Sequence, residues 1–99
     1  MILTTTNSIE GFKIIDYLGI VTGVAMNETK LSMGFSVSKY YKSVSDSVDI
    51  TKETAFQKLQ ENALKLEANA IVGIKVEIEL ANNNYAMVSV TGTAVKVVE

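Results

Sequence analysis

The chain has no cysteine, no histidine, no arginine, no tryptophan and no proline. Each absence removes a class of chemistry. Without cysteine there is no disulfide framework, no zinc ribbon and no thiol nucleophile. Without histidine the usual general base and the commonest metal ligand are gone. Without arginine there is no planar fork for bidentate phosphate or carboxylate recognition. Without proline, structural punctuation falls to Gly, Asn and clusters of Ser and Thr.

What remains is a chain of 99 residues, 47% hydrophobic, with nine lysines against eleven carboxylates and a formal charge of −2. The length predicts one domain spanning residues 1–99. A chain of this size buries only roughly 60–70% of the surface it exposes when unfolded, so its core is thin. No basic cluster exists for phosphate contacts, which excludes nucleic acid as the expected partner. The start, Met1-Ile2-Leu3-Thr4-Thr5-Thr6, lacks a basic segment followed by a long apolar one, and so does not read as an export signal. Apolar runs fall far short of the ~20 residues that cross a bilayer. The expectation is a soluble, cytoplasmic protein without membrane contact.

The clearest element covers residues 70–80. Val72, Ile74, Val76, Ile78 and Leu80 alternate with Gly73, Lys75, Glu77 and Glu79, the period-two pattern of a strand with one buried face. Asn82, Asn83 and Asn84 follow and predict a hairpin turn, because Asn tolerates positive φ. The return strand spans about residues 85–98. Val88 and Val90 share one face, whereas Val95 and Val97 follow the phase of Met87, and a bulge or kink is expected near Gly92. Residues 13–25 form a third long strand in which both faces are apolar: Ile14, Leu18, Ile20 and Val24 on one, Ile15, Tyr17, Val21 and Ala25 on the other. A strand like that is covered twice, by a helix and, in so short a chain, by a second subunit.

The main helix is predicted over residues 51–67, with Phe56, Leu59, Ala63 and Leu66 on one face, Thr51 as N-cap and Asn69 as a left-handed stop. Val37, Tyr40, Tyr41 and Val44 predict a shorter helix over residues 37–45, with residues 43–49 as a loop into the main helix. Leu31, Met33 and Phe35 alternate like a strand. The order is about β-β-α-α-β-β, an α+β subunit whose mostly antiparallel sheet packs on one main helix.

Three blocks then stand out in order: residues 2–6 with 9–14 and 17–23, residues 68–74, and residues 90–95. Together they resemble the YbjQ family of small bacterial and archaeal proteins, also called UPF0145. The resemblance implies an α+β subunit, grouped with dodecin-like subunits, that assembles into a ring. The implied ring is a homopentamer or a pair of pentamers. A heavy-metal-binding label also attaches to that family, and its biochemical role is unsettled. Two positions depart from the pattern. Family members usually carry a glycine where this chain has Glu67, which costs on the order of 1 kcal/mol if the backbone there is left-handed. The segment of residues 43–49 lacks the arginine and paired glycines usual before the main helix.

Candidate ligand-binding residues are Thr4, Thr5, Thr6, Glu10 and Asn69. The three hydroxyls and the carboxamide offer hydrogen bonds to a small ligand, and Glu10 offers a carboxylate. Each also has an ordinary structural reading: an edge strand, a solvated turn, a helix stop. No catalytic residue is assigned, since no neighbouring base can activate a threonine. Glu77 and Glu79, about 7 Å apart on one strand face, read first as a solvated exterior beside Lys75. Tyr40 and Tyr41 beside Lys39 and Lys42 divide between core and interface more often than they stack on a ligand. Soft metals select thiolate, imidazole and thioether, and only Met1, Met26, Met33 and Met87 carry sulfur, so neither a metal nor another cofactor is expected. The reading is a non-enzymatic homo-oligomer that binds a small molecule between subunits. The alternatives are a metal- or flavin-binding module and an enzyme using carboxylate or lysine chemistry.

Overall fold

A computed structural model describes residues 1–28, 37–81 and 85–99. The elements run β1 (Ile2–Leu3), β2 (Lys13–Glu28), α1 (Val37–Lys65), β3 (Ala70–Ala81) and β4 (Tyr85–Val98). The sheet order is β1-β3-β4-β2, with β1 parallel to β3 and the other pairs antiparallel. One helix packs on one face of this four-stranded sheet, so the α+β architecture and the predominantly antiparallel sheet hold.

The two predicted helices are one. Residues 43–49, expected as a loop, lie inside α1. No proline or glycine interrupts them, and short Ser and Asp side chains lower helix propensity without breaking a helix. Thr51 is therefore not an N-cap. It is buried in mid-helix, and its hydroxyl donates to the Ser47 carbonyl at 2.7 Å. The buried line along the helix is Ser47, Thr51, Ala55, Leu59 and Ala63, an unbroken i, i+4 series. Leu66, expected on the core face, is 40% exposed.

The small residues on that line set the packing distance. A Cβ added at Gly23 would lie 2.1 Å from the Ala55 carbonyl oxygen, so the helix backbone rests directly on β2. Val21 and Ala25 flank Gly23 on this face, and Val88, Val90 and Ala94 of β4 complete the core with Leu59 and Ile71. The opposite face of the sheet holds a smaller cluster, Ala70, Val72, Val95 and Val97, covered by Ile2, Ile9 and Ile14. The phase change along β4 follows from this: up to Ala94 it buries residues against the helix, and Val95 and Val97 bury on the opposite face.

The irregularity expected at Gly92 sits opposite it. β4 passes straight through Gly92, whereas β3 is bulged between Val72 and Lys75, where Gly73 has φ 62°. Gly92 is needed because a Cβ there would meet the Ile71 side chain at 2.6 Å. The bulge moves Ile74 to the helix side with Ile71, and Val76, Ile78 and Leu80 follow in phase. These three were expected to be buried. They are 39%, 47% and 62% exposed, because α1 lies over β2 and β4 and leaves the β3 side of the sheet uncovered.

The helix does not stop at Asn69. Glu67 takes the left-handed conformation, φ 63°. Its N–H donates to the Leu64 carbonyl and that of Ala68 to the Ala63 carbonyl, at 2.9 and 3.1 Å. This is a Schellman closure with glutamate at the position that favours glycine, and Ala63 and Ala68 pack together beneath it. Ala81 pairs with Tyr85, so the chain does reverse between β3 and β4. The Asn82, Asn83 and Asn84 turn itself lies outside the described residues, as does the alternating stretch Leu31, Met33, Phe35.

Candidate functional site

The five candidate ligand residues do not converge. Thr4, Thr5 and Thr6 follow β1 and turn away from the sheet edge. The Thr4 and Thr6 hydroxyls hydrogen-bond each other at 2.7 Å, and the Thr6 N–H donates to the Thr4 oxygen at 3.1 Å. The Thr6 hydroxyl lies 2.6 Å from the Ser8 carbonyl, to which it can donate. The backbone of this turn caps the bulge of β3: the Gly73 and Ile74 N–H groups donate to the Thr6 and Thr4 carbonyls at 2.8 and 3.1 Å. Thr4 and Thr6 therefore shape the N-terminal turn.

Asn69 is occupied as well. Its amide donates to the Val97 carbonyl at 2.9 Å and its oxygen accepts from the Val97 N–H at 2.8 Å. The side chain thus imitates a strand residue and pins the start of β3 to the end of β4. Glu10 lies exposed in the turn closed by the Phe12 N–H donating to the Ile9 carbonyl at 3.1 Å. The carboxylates Glu77 and Glu79 are exposed on the face of β3 away from the helix, beside Lys75.

One cleft involves the candidate residues. Leu3, Thr4, Thr5, Phe56 and Ile74 line about 370 Å³ between the N-terminal turn, the helix and the bulge of β3. Its lining is mainly apolar, from Leu3, Phe56 and Ile74. Sequence reasoning missed Phe56 and Ile74 as lining residues, since both read as core. Two smaller clefts lie elsewhere. One, about 200 Å³, is lined by Ala25, Met26, Asn27, Ile50, Thr51 and Thr54. The other, about 170 Å³, sits at the helix end among Asp16, Leu18, Leu66, Glu67 and Lys96. There the Lys96 ammonium donates to the Glu67 carbonyl at 3.2 Å, satisfying a helix-end acceptor.

The fold and these sequence blocks match known proteins along the full chain. The family model described as "Putative heavy-metal-binding", YbjQ, matches residues 1–98. The chain belongs to the YbjQ (UPF0145) family. A UPF0145 protein of Bacillus thuringiensis subsp. konkukian is 36% identical over 107 residues, covering 98% of this chain and 100% of the relative. One of Acetivibrio thermocellus is 33% identical over 103 residues, covering 96% and 97%. A crystal structure of a protein of unknown function in the DUF74 family, from Pediococcus pentosaceus, superposes with a TM-score of 0.73 at 21% identity. That match covers 99% of this chain and 98% of the other. At that identity the superposition establishes the shared fold.

The donors of this YbjQ member do not match the family's metal description. No group of three or more His, Cys, Asp or Glu residues able to hold a metal ion occurs among the described residues. Among the described residues, the nearest approach to a soft-metal site is Met26 directly opposite Met87 on neighbouring strands. Two neutral thioethers without thiolate or imidazole do not fit a specific heavy-metal centre. No helix among the described residues is long and apolar enough to cross a membrane.

Proposed function

We propose that the chain is a non-enzymatic, cytoplasmic subunit of a closed homo-oligomeric ring, a pentamer, that holds a small molecule between neighbouring subunits. One observation carries this reading: the apolar surface left open lies on two opposite edges and two opposite faces of the sheet. On β2, Ile20, Val24 and Met26 are 79%, 44% and 63% exposed on the face away from the helix. On β3, Val76, Ile78 and Leu80 are open on the helix face. Two different patches on opposite sides favour a head-to-tail contact, and a head-to-tail contact that closes makes a ring. The cleft lined by Leu3, Thr4, Thr5, Phe56 and Ile74 reaches β3 two residues before Val76, so a neighbour seated on the β3 patch would lie beside it. The small-molecule part of the reading rests on that position.

Size-exclusion chromatography with light scattering tests the assembly. The expected result is a single species of five times the 10.7 kDa subunit mass. A monomer at micromolar concentration overturns the proposal.

A further inference from the structure

The corner that holds the cleft spends its hydrogen-bond donors on itself. β1 bonds to β3 through the Ile2 and Thr4 N–H groups, which donate to the Asn69 and Ile71 carbonyls at 3.2 and 3.0 Å. The Leu3 N–H between them points to the opposite side of β1, in the plane of the sheet, by the alternation of a strand. The Gly73 and Ile74 N–H groups go to the Thr6 and Thr4 carbonyls, and the Thr6 N–H goes to the Thr4 hydroxyl. The hydroxyl protons follow by elimination. A carbonyl only accepts, so the Thr6 hydroxyl gives its one proton to the Ser8 oxygen at 2.6 Å. The 2.7 Å contact between the two hydroxyls is then donated by Thr4. Phe56 lies inside α1, where its N–H belongs to the helix ladder.

Charge is missing there too. None of Leu3, Thr4, Thr5, Phe56 and Ile74 is ionisable. Lys52 stands one turn before Phe56 on the same side of the helix but does not line the cleft. An ion entering such a space loses water and meets no opposite charge, a heavy cost for carboxylate, phosphate and ammonium alike. What the cleft does present is two aliphatic side chains, the Phe56 ring and the exposed Thr5. Among the described residues, nothing bonds to the Thr5 hydroxyl, which can donate and accept. The 370 Å³ of the cleft is more than double the roughly 150 Å³ of an apolar cavity that accepts benzene.

We infer that the cleft selects uncharged, ring-bearing apolar molecules, up to a fused pair of rings in size, with a polar group for Thr5, and rejects anions and cations of the same shape. This names the ligand class for the small-molecule part of the proposed function and rests on that reading.

The absence of tryptophan makes the test clean, since the fluorescence of an added indole ring reports its own binding. Indole, indoleacetate and tryptamine carry that ring uncharged, negative and positive. With the wild-type protein, indole emission is expected to shift to the blue, and indole to bind roughly ten-fold tighter than either ion. Thr5 is exposed and outside the hydrogen bonds of the turn, so Thr5→Lys should fold normally. It is expected to raise indoleacetate above indole, which places the site. Phe56→Leu should weaken indole without changing the circular dichroism, and Lys52→Gln should leave all three probes unchanged. Charged probes that bind as tightly as indole overturn the inference. So does indoleacetate that binds best and falls with Lys52→Gln, which makes the site one for acids. Indole binding that neither Thr5→Lys nor Phe56→Leu alters lies elsewhere, and overturns it as well. Light scattering on the same samples keeps the readings apart. A monomer that still selects indole loses the ring and keeps the inference. A full ring that takes all three probes alike loses only the charge selection. A full ring that takes none loses the ligand class, and with it the small-molecule part of the proposed function, while the assembly stands.

Discussion

Glu67 and Gly23 hold backbone positions that their side chains decide. At Glu67 the left-handed backbone closes the helix, and a residue with a Cβ costs about 1 kcal/mol there. Glu67→Gly removes that cost and keeps the Lys96 contact, which is made to the backbone carbonyl. The expected outcome is a urea-unfolding midpoint raised by about 0.5–1 kcal/mol equivalent with an unchanged slope. A lowered midpoint contradicts the account. Gly23 is the reverse case. A methyl there meets backbone atoms of Ala55 and Leu59, at 2.1 and 2.7 Å, and no flexible side chain can yield. Gly23→Ala must push the helix off β2 and should destabilise by about 3 kcal/mol, measured in the same unfolding experiment.

Among the elements, β2 and α1 are bound by more than packing. The Lys58 ammonium donates to the Val24 carbonyl at 3.1 Å and the Asn62 amide to the Thr22 carbonyl at 2.8 Å, tying the helix to two outward carbonyls of the strand edge. Replacing both by alanine removes two exposed hydrogen bonds, each worth about 0.5–1.5 kcal/mol, and opens the edge to strand addition. The expected outcome is a small loss of stability together with faster growth of thioflavin-positive aggregates; unchanged aggregation would remove the protective role. This contact also marks the limit of what the sequence made legible. The strands were readable because alternation is local: Val88 and Val90 on one face, and Val95 and Val97 in the opposite phase, follow from spacing alone. The bulge was not, because Gly73 and Gly92 both interrupt an alternating run, and only the pairing reveals which strand is displaced. The continuous helix was missed because serines and aspartates at residues 43–49 imitate a loop when read without the sheet beneath them. Asn69 looked like a helix stop because its partner, Val97, lies 28 residues away. Thr4, Thr5 and Thr6 were read as candidate ligand contacts from three adjacent hydroxyls, but the hydrogen bond between Thr4 and Thr6, and the cleft built with Phe56 and Ile74, exist only in the folded chain.

For the whole molecule, shape carries the argument. A compact chain of this length has a radius of gyration of about 13 Å. This chain has 16.5 Å, with extents of 55 × 23 × 16 Å. A long thin slab buries little, and its open apolar edges are the consequence. Ile20 decides between an isolated slab and an assembled one. In an isolated chain, 79% exposed, Ile20→Lys is an ordinary surface substitution worth within about 0.5 kcal/mol. In an assembly that covers Ile20, the same lysine is an unpaired charge taken out of water, costing several kcal/mol. Ile20→Lys is therefore expected to lower the mass seen by light scattering while leaving the far-ultraviolet circular dichroism of the subunit intact. Glu61→Lys, on the exposed outer side of the helix, should leave the mass unchanged. Mass action gives an independent reading, since a protein stabilised by its neighbours melts higher as its concentration rises. The wild-type midpoint should climb with concentration and that of Ile20→Lys should not. If Ile20→Lys keeps the wild-type mass and concentration dependence, the β2 face stays open to solvent and the subunit contact lies elsewhere.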